Sequence, residues 1–315
     1  MRRVLPVFIA TLVAAHALAA PQSLRMWPAP PSCGLGTGGT ARIVPAPGPP
    51  PIPDSEVVSG RRDIRRAWLG TPTDRYAHAA LGSRTHGASL HAVVVTAAGD
   101  RSLTLELADD RVFEDRLLRL EDLDGDGRDE IIVVEAHAHL GAALVVIGIE
   151  GTAAAPRLAE RARSPHVGAM RWLNPVGTAD FDGDGKLEIV SVTTPHIGGV
   201  LTLYRYDPPH LVPLAQEANV SNHRMGAVEQ RLATIVTAPG EPPLVLVPDQ
   251  SRRAVRLLRW DKDAAWLAVG TSSPLPSAAA RIVPHPGGAC LQLENGDWLV
   301  VSGRAPVRRA GSRHH

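Results

Sequence analysis

The sequence predicts an all-β chain, a β-propeller of about five four-stranded blades, on three observations. Short apolar runs rich in Val, Ile and Leu are separated by Gly, Pro, Asp and Asn at intervals of roughly 8 to 12 residues, the texture of strands and turns. The runs recur as units of roughly 40 to 60 residues, the size of one blade. An acidic nine-residue turn occurs twice between such runs. Sustained helical periodicity is hard to find.

Residues 1–19 read as a secretory signal: Arg2 and Arg3, an apolar run from Val4 to Ala15, then Ala17-Leu18-Ala19 as a cleavage site. The alternative is an uncleaved anchor, which the short run, Pro6 and His16 weaken, since a span needs about 20 apolar residues. Cleavage would start the mature chain at Ala20 and place it in the periplasm or outside the cell, without membrane insertion. Residues 20–69 are read as an extended arm, because Pro28 to Pro53 is dense in Pro and Gly and disfavours helix and central strand. Residues 70–303 form the propeller, and 304–315 a basic, disordered tail.

Within the propeller, the apolar segments 91–95, 130–134, 188–192 and 243–247 each begin a unit and are followed by an alternating strand, at 102–107, 143–149, 200–206 and 254–260. The first strand of each blade would line the central channel, and segments 74–82, 168–177 and 222–233 are assigned that place. A last hairpin, 290–294 with 298–301, turns at Asn295-Gly296 with the chemistry of a type I′ connection.

A ring needs its last blade completed by the other end of the chain. The octapeptides 41–48 and 280–287 differ at one position, and each lies near one of the two cysteines, Cys33 and Cys290. The arm is therefore expected to pack on the last blade, fastened by a Cys33–Cys290 disulfide in an oxidising compartment. Chance repetition and two unrelated buried thiols are the competing readings.

With 33 basic and 32 acidic residues the formal charge is +1, so no net attraction to nucleic acid or anionic membrane is expected. Local chemistry is concentrated in Asp122-Leu123-Asp124-Gly125-Asp126-Gly127-Arg128-Asp129-Glu130 and Asp180-Phe181-Asp182-Gly183-Asp184-Gly185-Lys186-Leu187-Glu188. Carboxylates at positions 1, 3, 5 and 9 repel one another unless a hard cation is present, and the position-6 glycine allows the sharp turn. The carbonyls of Arg128 and Lys186 can add a ligand each. Calcium suits such oxygen-rich, loosely shaped sites best, with dissociation constants on the order of 10⁻⁴ to 10⁻³ M in extracellular modules. Two solvated acidic turns that bind nothing are the alternative.

An EF-hand would need glutamate at position 12, where Val133 and Ser191 stand. With the acid at position 9 and an apolar strand after it, the motif instead resembles the FG-GAP or VCBS repeat of integrin-type propellers. The resemblance implies two structural Ca2+ sites, with Asp122, Asp124, Asp126 and Glu130 as ligands in one and Asp180, Asp182, Asp184 and Glu188 in the other. The remaining units lack the acidic loop.

Candidate ligand-binding residues at the channel mouth are Arg75, His78, Arg171, Asn222, His223 and Arg224, whose guanidinium and imidazole groups suit an anion, while Tyr76 and Trp172 could stack on a sugar. The favoured alternative is that these groups satisfy one another and water along a wet axis. His137, His139 and His196 follow strands in neighbouring units, a weak transition-metal pattern. No nucleophile elbow, P-loop, dinucleotide-binding or zinc-protease motif occurs. The expected function is a non-catalytic scaffold or binding module for a protein or carbohydrate at the cell envelope. A propeller hydrolase or lyase acting on glycans is the competing reading, and would present converging acids or histidines in a deep pocket.

Overall fold

The structure, a computed structural model, describes residues 22–30, 33, 48–286 and 288–302. The signal segment, the first octapeptide up to its last residue and the basic tail lie outside the described residues.

Strands β1 (Gln22–Ser23) and β2 (Arg25–Pro28) precede five consecutive antiparallel meanders among the described residues. The first is β3 (Val58–Ser59), β4 (Ile64–Thr73), β5 (His86–Thr96) and β6 (Gly99–Glu106), followed by the short β7 (Arg111–Phe113). The second is β8 (Arg119–Glu121), β9 (Glu130–His137), β10 (Gly141–Thr152) and β11 (Ala155–Arg163). The third is β12 (Leu173–Ala179), β13 (Glu188–Thr193), β14 (Val200–Asp207) and β15 (His210–Ala218). The fourth is β16 (Thr234–Ala238), β17 (Glu241–Pro248), β18 (Val255–Asp261) and β19 (Ala265–Thr271). The fifth is β20 (Ala279–His285), β21 (Gly288–Leu293) and β22 (Trp298–Ser302), with β2 antiparallel to β22 as its fourth strand.

This all-β, multi-sheet arrangement is consistent with a β-propeller-like fold. The amino-terminal segment crosses between two sheets: β1 runs parallel to β19, and β2 pairs with β22. Cys33 and Cys290 are bonded, with Cα atoms 5.6 Å apart, so the arm is fastened to the fifth meander as the sequence predicts. The pairing strand lies upstream of the octapeptide.

Burial explains the meander spacing. The second strands of the acidic-loop meanders, β9 and β13, are buried on both faces, and their Val and Ile side chains fill clusters shared with neighbouring meanders. One cluster joins the first and second meanders through Leu69, Leu90, Ile131 and Val145. Others join the second to the third, the third to the fourth, and the fourth to the fifth. Among the described residues no hydrophobic cluster joins the fifth to the first; polar contacts there run through Arg231, whose carbonyl accepts from Ile282 N (2.7 Å) and whose guanidinium pairs with Glu56 (2.6 Å).

Three expectations are corrected. Segments 74–82 and 222–233 are loops, and only Leu173–Ala179 of 168–177 is strand. Their polar side chains bond to residues distant in sequence, His78 to Glu114 and Asn222 to Asn174, instead of continuing a strand pairing. His91–Val95 belongs to β5, the third strand of its meander, because β4 begins at Ile64 inside the segment read as arm. The Asn295-Gly296 turn is not type I′: only Gly296 has positive φ (92°), and Gly296 N donates to Leu293 O (3.0 Å) while Leu293 N donates to Asp297 O (2.9 Å). The extra turn residues make a single left-handed position sufficient.

Since consecutive strands alternate direction, the connections fall on two opposite faces. One face carries the turns 60–63, 122–129, 180–187 and 239–240. The other carries 74–85, 138–140, 164–172, 194–199, 219–233, 249–254 and 294–297.

Candidate metal centres

Each acidic loop leaves the first strand of its meander and enters the second. Leu123 (0% exposed) and Phe181 (6%) anchor the loops at position 2, Phe181 by an edge-on contact with Trp266. Burying a side chain of this size contributes about 1.5–3 kcal/mol, which holds each loop to the sheet.

The internal hydrogen bonds of the two loops match one for one. Asp122 Oδ1 accepts from Gly125 N (2.8 Å) and Oδ2 from Gly127 N (3.0 Å). Asp180 accepts likewise from Gly183 N (2.6 Å) and Gly185 N (3.0 Å). The third and fifth positions cap the amides two residues on, Asp124 to Asp126 and Asp126 to Arg128, with Asp182 to Asp184 and Asp184 to Lys186 in the second loop. Glu130 Oε2 takes Leu123 N (2.9 Å), and Glu188 Oε2 takes Phe181 N (2.8 Å). Gly127 and Gly185 sit at φ 87° and 88°, where a β-carbon would be strained. The loops also touch: Leu187 N donates to Leu123 O at 3.0 Å.

These bonds converge three carboxylates. Oxygens of Asp122, Asp124 and Glu130 lie within 4.8 Å of one another, as do those of Asp180, Asp182 and Glu188. Asp126 and Asp184 stand outside these trios. Burial, then the neighbouring aspartates, push Glu130 and Glu188 each up to about 7, so each cluster resists carrying its full negative charge unaided. An oxygen-only donor set of this kind fits a hard divalent cation. At the first loop the Tyr206 hydroxyl is buried without a hydrogen-bond partner, and burial together with Glu130, Asp124 and Asp126 raises it to about 12.

The residues predicted at a channel mouth separate. Arg75 clamps the 107–111 loop, donating to the carbonyls of Leu107, Ala108 and Arg111. Arg171 and Arg224 are exposed on the face opposite the acidic loops. Asn222 is buried against Asn174, and His223 pairs with His196 (Nδ1 to Nε2, 2.8 Å) beneath Trp172. Burial lowers His223 to about 3 and His196 to about 4, so both are neutral at pH 7. His196 thus does not join His137 and His139; His137 faces Asp110 instead, at 3.2 Å.

His78 Nδ1 lies 2.8 Å from Oε1 of Glu114, a fully buried acid whose pKa burial raises and His78 partly restores. Glu114, Asp115 and Gln230 were not singled out from sequence. The only available signal was the Glu114-Asp115-Arg116 triad set between Phe113 and Leu117-Leu118, charged residues in an apolar setting. A cavity of about 410 Å³ between the fourth and fifth meanders is lined by Leu24, Val236, Leu244, Leu257 and Val301, and among the described residues Glu241 is its one carboxylate and no histidine lines it.

No curated protein matches the chain. Residues 122–191 match the family model of the FG-GAP-like repeat, a stretch that opens on Asp122, the first residue of the first loop, and runs through the whole of the second. The segment from Asp122 to Ser191, whose two acidic loops share one hydrogen-bond pattern, is thus similar to an FG-GAP-like repeat.

Proposed function

We propose that this chain is an exported, non-catalytic binding module: five blades closed into a ring, braced by calcium in both acidic loops, that presents its opposite face to a protein or carbohydrate at the cell envelope. The observation that carries this reading is the segregation of the two faces. The acidic trios stand on one face, whereas the exposed Leu140, Met170, Ile197, Met225 and Val228 all lie in loops of the other, beside Arg171 and Arg224. Exposed apolar groups gathered on one face, with cations among them, are characteristic of a recognition surface.

Support for calcium comes from the paired oxygen-only trios and the repeat match over both loops. The Cys33–Cys290 bond is compatible with an oxidising compartment, and no described helix is long and apolar enough to cross a membrane. Against a glycan hydrolase or lyase, the Glu114–His78 pair has its carboxylate wholly buried and serves structure in this reading.

Calcium titration of the melting temperature is the direct test. Millimolar calcium should raise it and chelator should reverse the rise, with Asp182→Asn, in the second trio, removing part of the gain. An unchanged melting temperature and no calcium in the purified protein would overturn the brace. For the recognition face, Ile197→Asp and Met225→Asp should abolish retention on envelope fractions without lowering the melting temperature, while Val95→Asp on the other face should not; equal retention of all three variants would overturn it.

A further inference from the structure

The β3–β4 turn, Gly60 to Asp63, stands in the first meander where the acidic loop stands in the second and third, between the first and second strands. It carries Arg61 and Arg62 in place of aspartates. Arg62 Nη2 lies 3.0 Å from Asp122 Oδ2, and Arg62 N donates to Asp129 Oδ2 at 3.1 Å. Asp63 completes the junction by accepting from Asp129 N (2.8 Å) and pairing with Arg128 (3.1 Å). Gly60 permits the approach, since a β-carbon there would sit 2.6 Å from Asp129 Oδ2. Asp180, the counterpart of Asp122, accepts the same two glycine amides, but among the described residues no guanidinium pairs with it.

We propose that Arg62 is a built-in counter-ion of the first loop, competing with a divalent cation for Asp122, so that the neighbouring meander sets the metal affinity of this loop and not of the other. The inference rests on the reading that both loops hold calcium. Each Asp122 oxygen already accepts one glycine amide, and the guanidinium takes a further lone-pair direction on Oδ2. An incoming cation must share that carboxylate with a positive charge or displace it. Arg62 is about half exposed (47%), so solvent and salt weaken its repulsion of the cation without removing it. The surrounding Glu121, Asp129, Asp63, Arg61 and Arg128 are the same in wild type and variant, so substituting Arg62 isolates its effect.

Calcium titration of the full mature chain, followed by the amide resonances of Gly127 and Gly185, reads the two loops separately. Arg62→Gln should tighten binding at the Gly127 loop by about three- to tenfold, the range expected for removing one screened charge beside a divalent ion, and leave the Gly185 loop unchanged. Arg62→Lys should stay near wild type, and Arg62→Ala supplies a second neutral substitution if the glutamine variant folds poorly. Unchanged or weaker binding at the Gly127 loop, or an equal shift at both loops, would overturn the proposal. If neither glycine responds to calcium in the wild type, the metal reading itself falls, a result distinct from two responsive loops indifferent to Arg62.

Discussion

Asn174 and Asn222 exchange hydrogen bonds: Nδ2 of Asn222 donates to the Asn174 carbonyl at 2.9 Å, and Nδ2 of Asn174 donates to the Asn222 carbonyl at 3.1 Å. Asn174 Nδ2 also reaches Gln230 O (2.9 Å), and Gln230 in turn joins Asp115 Oδ1 (2.9 Å) and Arg116 N (2.9 Å). The exchange ties the third meander to the loop that leads into the fourth, and Asp115 ties both to the second by accepting from Val134 N. All four side chains are buried.

Asn174→Ala should therefore destabilise by about 2 to 4 kcal/mol, because two buried carbonyls lose their donor at once. Urea denaturation measures this. A loss under 1 kcal/mol would mean that water replaces the amide and that the network is not dry.

Acid should destabilise the fold through its histidines. Burial lowers His86 to about 4, His196 to about 4 and His223 to about 3, against an ordinary value of 6.5. Below about pH 6.5 the unfolded chain takes up protons that the folded chain refuses, so stability present at neutral pH drains away as pH falls towards 4. A displacement from 6.5 to about 4 corresponds to about 3 kcal/mol for one group, and the hydrogen-bonded His196–His223 pair titrates jointly. His223→Asn should flatten the dependence of melting temperature on pH between 7 and 5; an unaltered slope would refute the assignment.

Reduction of Cys33–Cys290 should cost about 2 to 5 kcal/mol, since the bond closes a loop of 257 residues in sequence. Cys33→Ser should behave as the reduced protein does, with the loss appearing first as faster amide exchange in β2 and β22, where Met26 and Trp27 pair with Val301 and Val300. Uniform exchange across all sheets would mean that the arm is no separate unit.

Gly141→Ala should cost more than 3 kcal/mol or prevent folding. Gly141 has φ 77°, and a β-carbon there would stand 1.7 Å from the Gly168 carbonyl, with the Arg171 carbonyl also in contact. Gly99→Ala, also at positive φ but in open space, is the control and should cost about 1 kcal/mol. Thermal melts of the two variants separate steric clash from backbone strain.

The acidic loops were legible in the sequence because everything they need is local. Nine residues contain the carboxylates, the glycines and the apolar anchor, and the loop's own amides fold the side chains back onto it. The strand repeats were legible for a related reason, since each apolar run pairs with its neighbour in the chain. The same locality misled at segments 74–82 and 222–233, where polar residues read as channel-lining strands belong to loops whose partners lie far along the chain, as His78 with Glu114.

From its sequence alone this protein's all-β class and its repeated acidic turns could be deduced, because short-range alternation and turn chemistry leave few options, whereas two cysteines allowed the Cys33–Cys290 bond without requiring it. Only the tertiary structure decided that Arg62 meets Asp122, that Asp115 meets Gln230, and that Leu140, Met170, Ile197, Met225 and Val228 share one face. Those contacts depend on how separate meanders pack side by side, and packing brings together residues whose distance along the chain carries no trace of their nearness in space.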